Sequence, residues 1–303
     1  MPIFNRQKVR VIKDKLARNA MFTITILSLL VALLIGVGLY LKAAPILHEK
    51  SLWHLLTTTS WKPFKGDFGF YPFIMGTLWV TGIAIVIALP LSLLTSIYLS
   101  EYAMPQVRKM VEPVLDILAG IPPVVYGVWG ALAVVPFISN HIAPHFIEYS
   151  TGYSVLAGGI VLAVMIIPLL ISLFGEIFRA IPKELRDASL SLGATDWQTI
   201  KFVILRKSVP GIVAAIVLAI SRAFGETIAV LMVCGNIPIA PKSIFDSGYP
   251  LPALIANNYG EMMSMPNYES ALMLAALILF VIILLFNAAS RVVLIRIERR
   301  FSL

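Results

Sequence analysis

Two charged residues, Arg222 and Glu226, stand four positions apart within the apolar run 208–233. On a helix that spacing puts them on one face. In a bilayer each costs about 2.5–3.5 kcal/mol on insertion scales, so neither is kept without a reason. One reason is mutual neutralisation or a bond to a neighbouring helix, although Arg ahead of Glu is the weaker order for such a pair. The other is that Arg222 faces an aqueous pathway, where paired guanidinium donors suit a tetrahedral oxyanion and Glu226 holds the guanidinium in place. A site of passage must also release what it binds.

A second group lies in the polar stretch from Pro182 to Leu205, where Asp187, Ala188 and Ser189 precede Gly193. Pro182 suits a first helical turn, Gly193 a helix end, and Thr195 with Gln198 has the spacing of a capping box. The stretch predicts two short amphipathic helices meeting at Gly193. It is tethered at both ends to apolar runs and lacks a basic recognition face, so a protein contact fits it better than nucleic acid. His141 and His145 share helical spacing, but Pro144 and the want of a third ligand argue against a metal. Asp116 and Glu176, near the ends of apolar runs, read as packing or interfacial residues. The chain carries no phosphate-binding loop, dinucleotide fingerprint, zinc-protease motif or nucleophile elbow. It is therefore not expected to hydrolyse ATP itself, and neither a cofactor nor a metal is expected.

The elements that must hold these groups are membrane helices. Of 303 residues, 59% are hydrophobic and 13% charged, about half the charged share of a soluble domain. Six segments reach the roughly 20 apolar residues that a spanning helix needs, at about 21–41, 75–99, 114–138, 154–178, 208–233 and 270–290. The first is longer than the roughly 7–15 residues of a cleavable signal core and is read as a retained span after a basic tail, 1–20. With both termini in the cytoplasm, 18 Lys and Arg fall inside and five outside, with Arg222 in a span, so the positive-inside rule selects this orientation. The net charge of +8 is thus topological rather than a nucleic-acid surface. The expected architecture is an all-α polytopic bundle of six transmembrane helices. Residues 21–303 form one transmembrane domain, with a cytoplasmic loop at about 179–207. Cys234 is the one cysteine, so no internal disulfide is available.

Breakers are expected to bend several spans. Pro90 and Pro168 read as ordinary kinks, whereas Gly120-Ile121-Pro122-Pro123 removes two successive donors and should interrupt the third span. Residues 43–74 interleave Trp53, Trp61, Phe64, Phe68, Phe70, Tyr71 and Phe73 with polar residues, as in a segment lying at the membrane interface or a docking face. Residues 235–269, with Pro238, Pro241, Pro250, Pro252 and Pro266, read as a stiff outer loop meeting a partner or capping a pore.

The stretch around Asp187 resembles the "EAA" coupling loop of ABC importer permeases, with Asp187, Ala188, Ser189, Gly193, Val203, Leu205 and Arg206 at the motif positions. It departs from that pattern in Asp for Glu, Ser for the second Ala, Val for Ile, and Arg206 for Pro. The resemblance covers most of the chain. Phe70 to Thr77, Tyr98 to Ala103, Leu115 to Gly127 and Ser221 to Val230 are similar to phosphate ABC permeases. The last, followed by Cys234-Gly-Asn236, is closer to the PstC-type subunit than to its PstA-type partner. Most phosphate permeases carry Ser where this chain has Pro123. The resemblance implies a type I ABC importer permease in the cell membrane, paired with a second, PstA-type permease. It further implies two ATP-binding subunits at the coupling loop and an extracytoplasmic phosphate-binding protein. It associates Arg222 and Glu226 with transport. Permeases for sulfate, molybdate or an organic solute are the nearest alternatives, and an ion-coupled secondary transporter or a membrane enzyme are more distant ones.

Overall fold

The computed structural model describes the backbone of residues 2–260 and 267–301, and the side chains of 13–260 and 267–297. Pro266 and the side chains of Arg6, Lys8, Arg10, Arg299 and Arg300, which enter the readings above, lie outside the described residues. Among the described residues, six helices are long and apolar enough to cross a membrane: Lys13–Glu49, Tyr71–Tyr102, Pro123–His145, Val155–Arg179, Asp196–Gly225 and Tyr268–Ile297. These are spans one to six below. The helix of span one begins at Pro2, so the basic segment ahead of residue 21 continues it without a break.

The centre of the bundle is span two against span four. Small residues allow the approach. A Cβ on Gly159 would meet the Ile83 side chain at 2.4 Å, and one on Gly158 would meet the Cys234 sulfur at 2.3 Å. With lipid on the outside as apolar as the core, such close contact is what holds membrane helices together. Ala84, Ala88, Leu162, Leu170 and Phe174 fill the seam. Span one packs along span six and otherwise presents Leu27, Leu33 and Leu34 outward, as a lipid-facing helix must.

Span three differs from its expected extent. A separate helix, Pro105–Gly120, ends at Ile121 and Pro122, both extended, and the membrane-length helix starts at Pro123. The predicted interruption is present, but it separates two helices rather than bending one. The first of them, the elbow helix below, is amphipathic and packs on span four. Tyr126 bridges the break by donating its hydroxyl to the Leu118 carbonyl at 2.8 Å.

The outer segments are folded rather than spread on the interface. After the short helix Leu52–Thr57, strands Trp61–Lys62 and Asp67–Phe68 pair antiparallel. Trp61 lies edge-on to Phe68, Phe70, Phe73 and Tyr268 in an aromatic core, leaving Trp53 and Phe64 outward. The proline-rich loop turns inward. Its carbonyls at Asp246 and Ile244, with that of Val233 just ahead of it, accept from the amides of Val155, Leu156 and Ser154 respectively, supplying partners to the otherwise orphaned start of span four. Gly235 and Asn236, at φ +86° and +53°, make the left-handed turn this requires.

Candidate functional site: a loop hairpin and a broken fifth span

The loop helix, Lys183–Ser191, carries Asp187, Ala188 and Ser189. It ends in two bonds, Gly193 N–H to the Leu190 carbonyl at 2.9 Å and Ala194 N–H to the Ser189 carbonyl at 3.3 Å. This Schellman closure places the residue after the helix in the left-handed region, and Gly193 has φ +82°. Nothing lies within 4 Å of the position its Cβ would take, so glycine is needed here for conformation and not for space.

Thr195 then starts the next helix with the expected capping box: its Oγ1 accepts from Gln198 N–H at 3.3 Å, and Gln198 Oε1 accepts from Thr195 N–H at 2.9 Å. That helix is not short. It runs from Asp196 through wider π-type turns at Ile200–Ile204 directly into span five. The predicted pair of short helices is therefore one short helix folded against the first turns of a span. Ser189 and Thr199 seal the fold with a hydroxyl contact of 2.9 Å.

Asp187 and Ala188 are exposed, as is Gly193. So are the apolar side chains Leu185, Leu192 and Trp197, with Leu192 89% exposed at the tip. The tip therefore presents apolar side chains beside the acidic Asp187. Leu192 and Trp197 were not singled out in the sequence, where one more Leu and Trp in an apolar chain carry no signal.

The loop helix is anchored by Arg186, whose Nη2 donates to the Phe178 carbonyl at 2.8 Å and meets Glu101 Oε1 at 3.1 Å. Glu101 lies in the π-type turn Tyr98–Tyr102 that ends span two, and it also accepts from Ser100 Oγ at 2.9 Å. From the other side of that turn, Arg108 of the elbow helix donates to the carbonyls of Leu99 and Ser100 at 2.8–3.1 Å. Neither Glu101 nor Arg108 was predicted as a site residue; an acid just past a long apolar run was the available sign. Asp116 and Glu176 line a nearby polar cavity of about 210 Å³ with Ser96, Glu112 and Arg179.

Span five corrects the reading of Arg222 and Glu226 as one helical face. The helix stops at Gly225, and Glu226 is extended (φ −70°, ψ 127°) before a single turn, Ile228–Leu231. The carboxylate turns away to that turn, its Oε1 accepting from Thr227 N–H at 3.1 Å and Ala229 N–H at 3.4 Å. Among the described residues it forms no ion pair with Arg222. Arg222 sits in the last turn of span five, exposed and without a hydrogen-bond partner among the described residues. Its direction is set by its neighbours: Ser221 donates to Asn287 of span six at 3.0 Å, and Ala223 and Phe224 are buried. Successive helical residues differ by about 100°, so burying those flanks leaves Arg222 on the open face.

The hairpin thus hangs between two membrane-length helices and presents an apolar tip. Residues 88–302 match the family described as binding-protein-dependent transport system inner membrane component, and the chain belongs to that family of multi-pass membrane proteins.

Its relatives narrow the class. The chain is 34% identical over 263 residues to the phosphate transport system permease protein PstC of Pasteurella multocida, covering 82% of this chain and 80% of that protein. It is 33% identical over 284 residues to a probable PstC of Methanocaldococcus jannaschii, covering 88% of each. With the probable ABC transporter permease protein YqgH of Bacillus subtilis it shares 42% identity over 208 residues, 68% of this chain and 66% of that one. Among solved structures, it is similar to a chain of a bacterial alginate ABC transporter in complex with its alginate-bound periplasmic protein. The TM-score there is 0.60 at 17% identity, covering 97% of each chain. A chain of the inward-facing MetNI methionine ABC transporter gives 0.56 at 20% identity, covering 76% of this chain and 94% of that one. The six-helix expectation and the type I importer permease fold agree with these likenesses.

Proposed function

We propose that this chain is the PstC-type membrane subunit of an ATP-driven importer of inorganic phosphate. Its similarity to PstC proteins over four-fifths or more of its length supports the substrate. The observation that carries the anion reading is Arg222: a guanidinium with no partner among the described residues, on the open face of a span, next to a break in the backbone. Unspent donors in that place suit a tetrahedral oxyanion. Glu226 acts on the pathway by capping the turn that follows rather than by bonding Arg222.

In this reading a PstA-type permease covers the open face of span five, and an ATP-binding subunit receives the tip formed by Asp187, Ala188, Leu192 and Gly193. A second ATP-binding subunit serves the partner permease, and an extracytoplasmic phosphate-binding protein delivers the anion. The basic tally of 18 against five supports a cytoplasmic position for both termini and the loop hairpin. Closure of the ATP-binding subunits pushes the hairpin, which shares its first turns with span five, and the paired permeases alternate between outward and inward openings.

Reconstitution with the three partner proteins tests this. Phosphate-loaded binding protein is expected to stimulate ATP hydrolysis and drive uptake of labelled phosphate. Uptake of labelled sulfate or molybdate, with none of labelled phosphate, would move the substrate to another oxyanion. Uptake sustained by an ion gradient without ATP would overturn the mechanism.

A further inference from the structure

We infer that Glu101 is a positioning residue for energy coupling, the pin that joins the loop helix to the end of span two and, through it, to the elbow helix. The inference rests on the proposed function and deepens it. Span five already provides one route from the hairpin into the membrane, because its helix begins at Asp196. The contacts of Glu101 provide a second, independent of span five.

The second route follows from the π-type turn Tyr98–Tyr102. On one side, Arg186 of the loop helix meets Glu101 at 3.1 Å. On the other, Arg108 of the elbow helix donates to two carbonyls of the same turn. The side chain of Glu101 is only 9% exposed and that of Arg186 24%, so the pair is shielded and is not one of the solvated pairs that contribute little. Beyond the elbow helix stands the break at Ile121 and Pro122, bridged by Tyr126. A push on the loop helix thus reaches the start of span three through Glu101, Arg108 and Tyr126. Span three packs against the short turn Ile228–Leu231, which follows the end of span five at Gly225 in the chain. The two routes converge on the broken region that follows Glu226.

The test is the ratio of ATP hydrolysed to anion carried in the reconstituted complex, for Glu101→Ala, Arg186→Ala and the charge swap Glu101→Arg with Arg186→Glu. Each single variant is expected to raise the ratio about tenfold at unchanged assembly, and the swap to restore most of it, because a pair acting as a unit shows coupling in a double-mutant cycle. Single variants with the wild-type ratio would overturn the inference. So would a swap that assembles fully yet stays as uncoupled as the singles. If the variants instead fail to assemble and the swap does not restore assembly, the pair is a folding contact and the inference falls. The ratio is read with whichever anion the wild-type complex carries. Failure of that complex to carry phosphate therefore counts against the substrate alone, and failure of the variants against the pin alone.

Discussion

Ser189 and Thr199, ten positions apart, meet hydroxyl to hydroxyl at 2.9 Å across the turn at Gly193. This contact makes the hairpin a unit rather than two helices on a swivel. Thr199 is 4% exposed, so it depends on Ser189 for a partner, and Ser189 Oγ is the one side-chain bond that crosses the turn among the described residues.

Ser189→Ala should therefore cost more than the bond itself. Leaving a buried hydroxyl unpaired costs about 1–3 kcal/mol, whereas removing both partners is close to neutral. Hydrogen exchange of the amides around residues 194–199 is expected to quicken about fivefold or more in the single variant. In Ser189→Ala with Thr199→Val it should return near to wild type.

At Gly193 the strain comes from φ +82° in open space, so Gly193→Ala should harm nearly as much as Gly193→Leu. A left-handed conformation costs a residue with a Cβ about 1–2 kcal/mol. Gly193→Asn should be milder, since Asn tolerates that region. Both Ala and Leu variants are expected to assemble and hydrolyse ATP while losing uptake, measured side by side in proteoliposomes.

Arg222→Gln should stop phosphate uptake and leave assembly intact. Glu226→Gln should weaken the cap on Thr227 and Ala229 by about 0.5–2 kcal/mol, with a partial loss of uptake. Because the two side chains form no pair, their effects on stability should add within about 0.5 kcal/mol in a double-mutant cycle. A coupling well above that would restore the ion pair that the spacing first suggested.

Burial pushes the Cys234 thiol up from its ordinary value, so the neutral form persists as pH rises through the usual thiol range near about 8.5. Thiolate is the reactive form. Maleimide is expected to leave the folded protein unlabelled even at alkaline pH and to label it fully in denaturant, as followed by mass spectrometry. Gly158→Ala, which places a Cβ 2.3 Å from that sulfur, should destabilise the seam by about 1–3 kcal/mol and expose the thiol to labelling.

Hydropathy located the six spans because burial in lipid leaves a compositional mark that no tertiary contact can override. The turn at Gly193 and the capping box at Thr195 were equally legible, since both are local backbone chemistry. What pattern reading missed is non-local. Periodicity cannot see that span five stops at Gly225, because Glu226 keeps a helix-like spacing to Arg222 while its backbone turns extended. It also cannot pair Glu101 with Arg186 across 84 intervening positions, or tell that Trp61 belongs to an aromatic core rather than to the interface. The double proline was read correctly as a break, but whether a break bends a span or frees a separate helix depends on what the freed piece packs against. Here that is span four.

The end of span five inside the bundle has an electrostatic consequence. The last carbonyls of a helix carry about half a unit of negative charge. On the proposed reading, an anion reaching Arg222 would meet a positive charge partly offset by the helix end that presents it. The break that frees the guanidinium also shallows the well around it, and a shallow well lets an ion dwell briefly and move on.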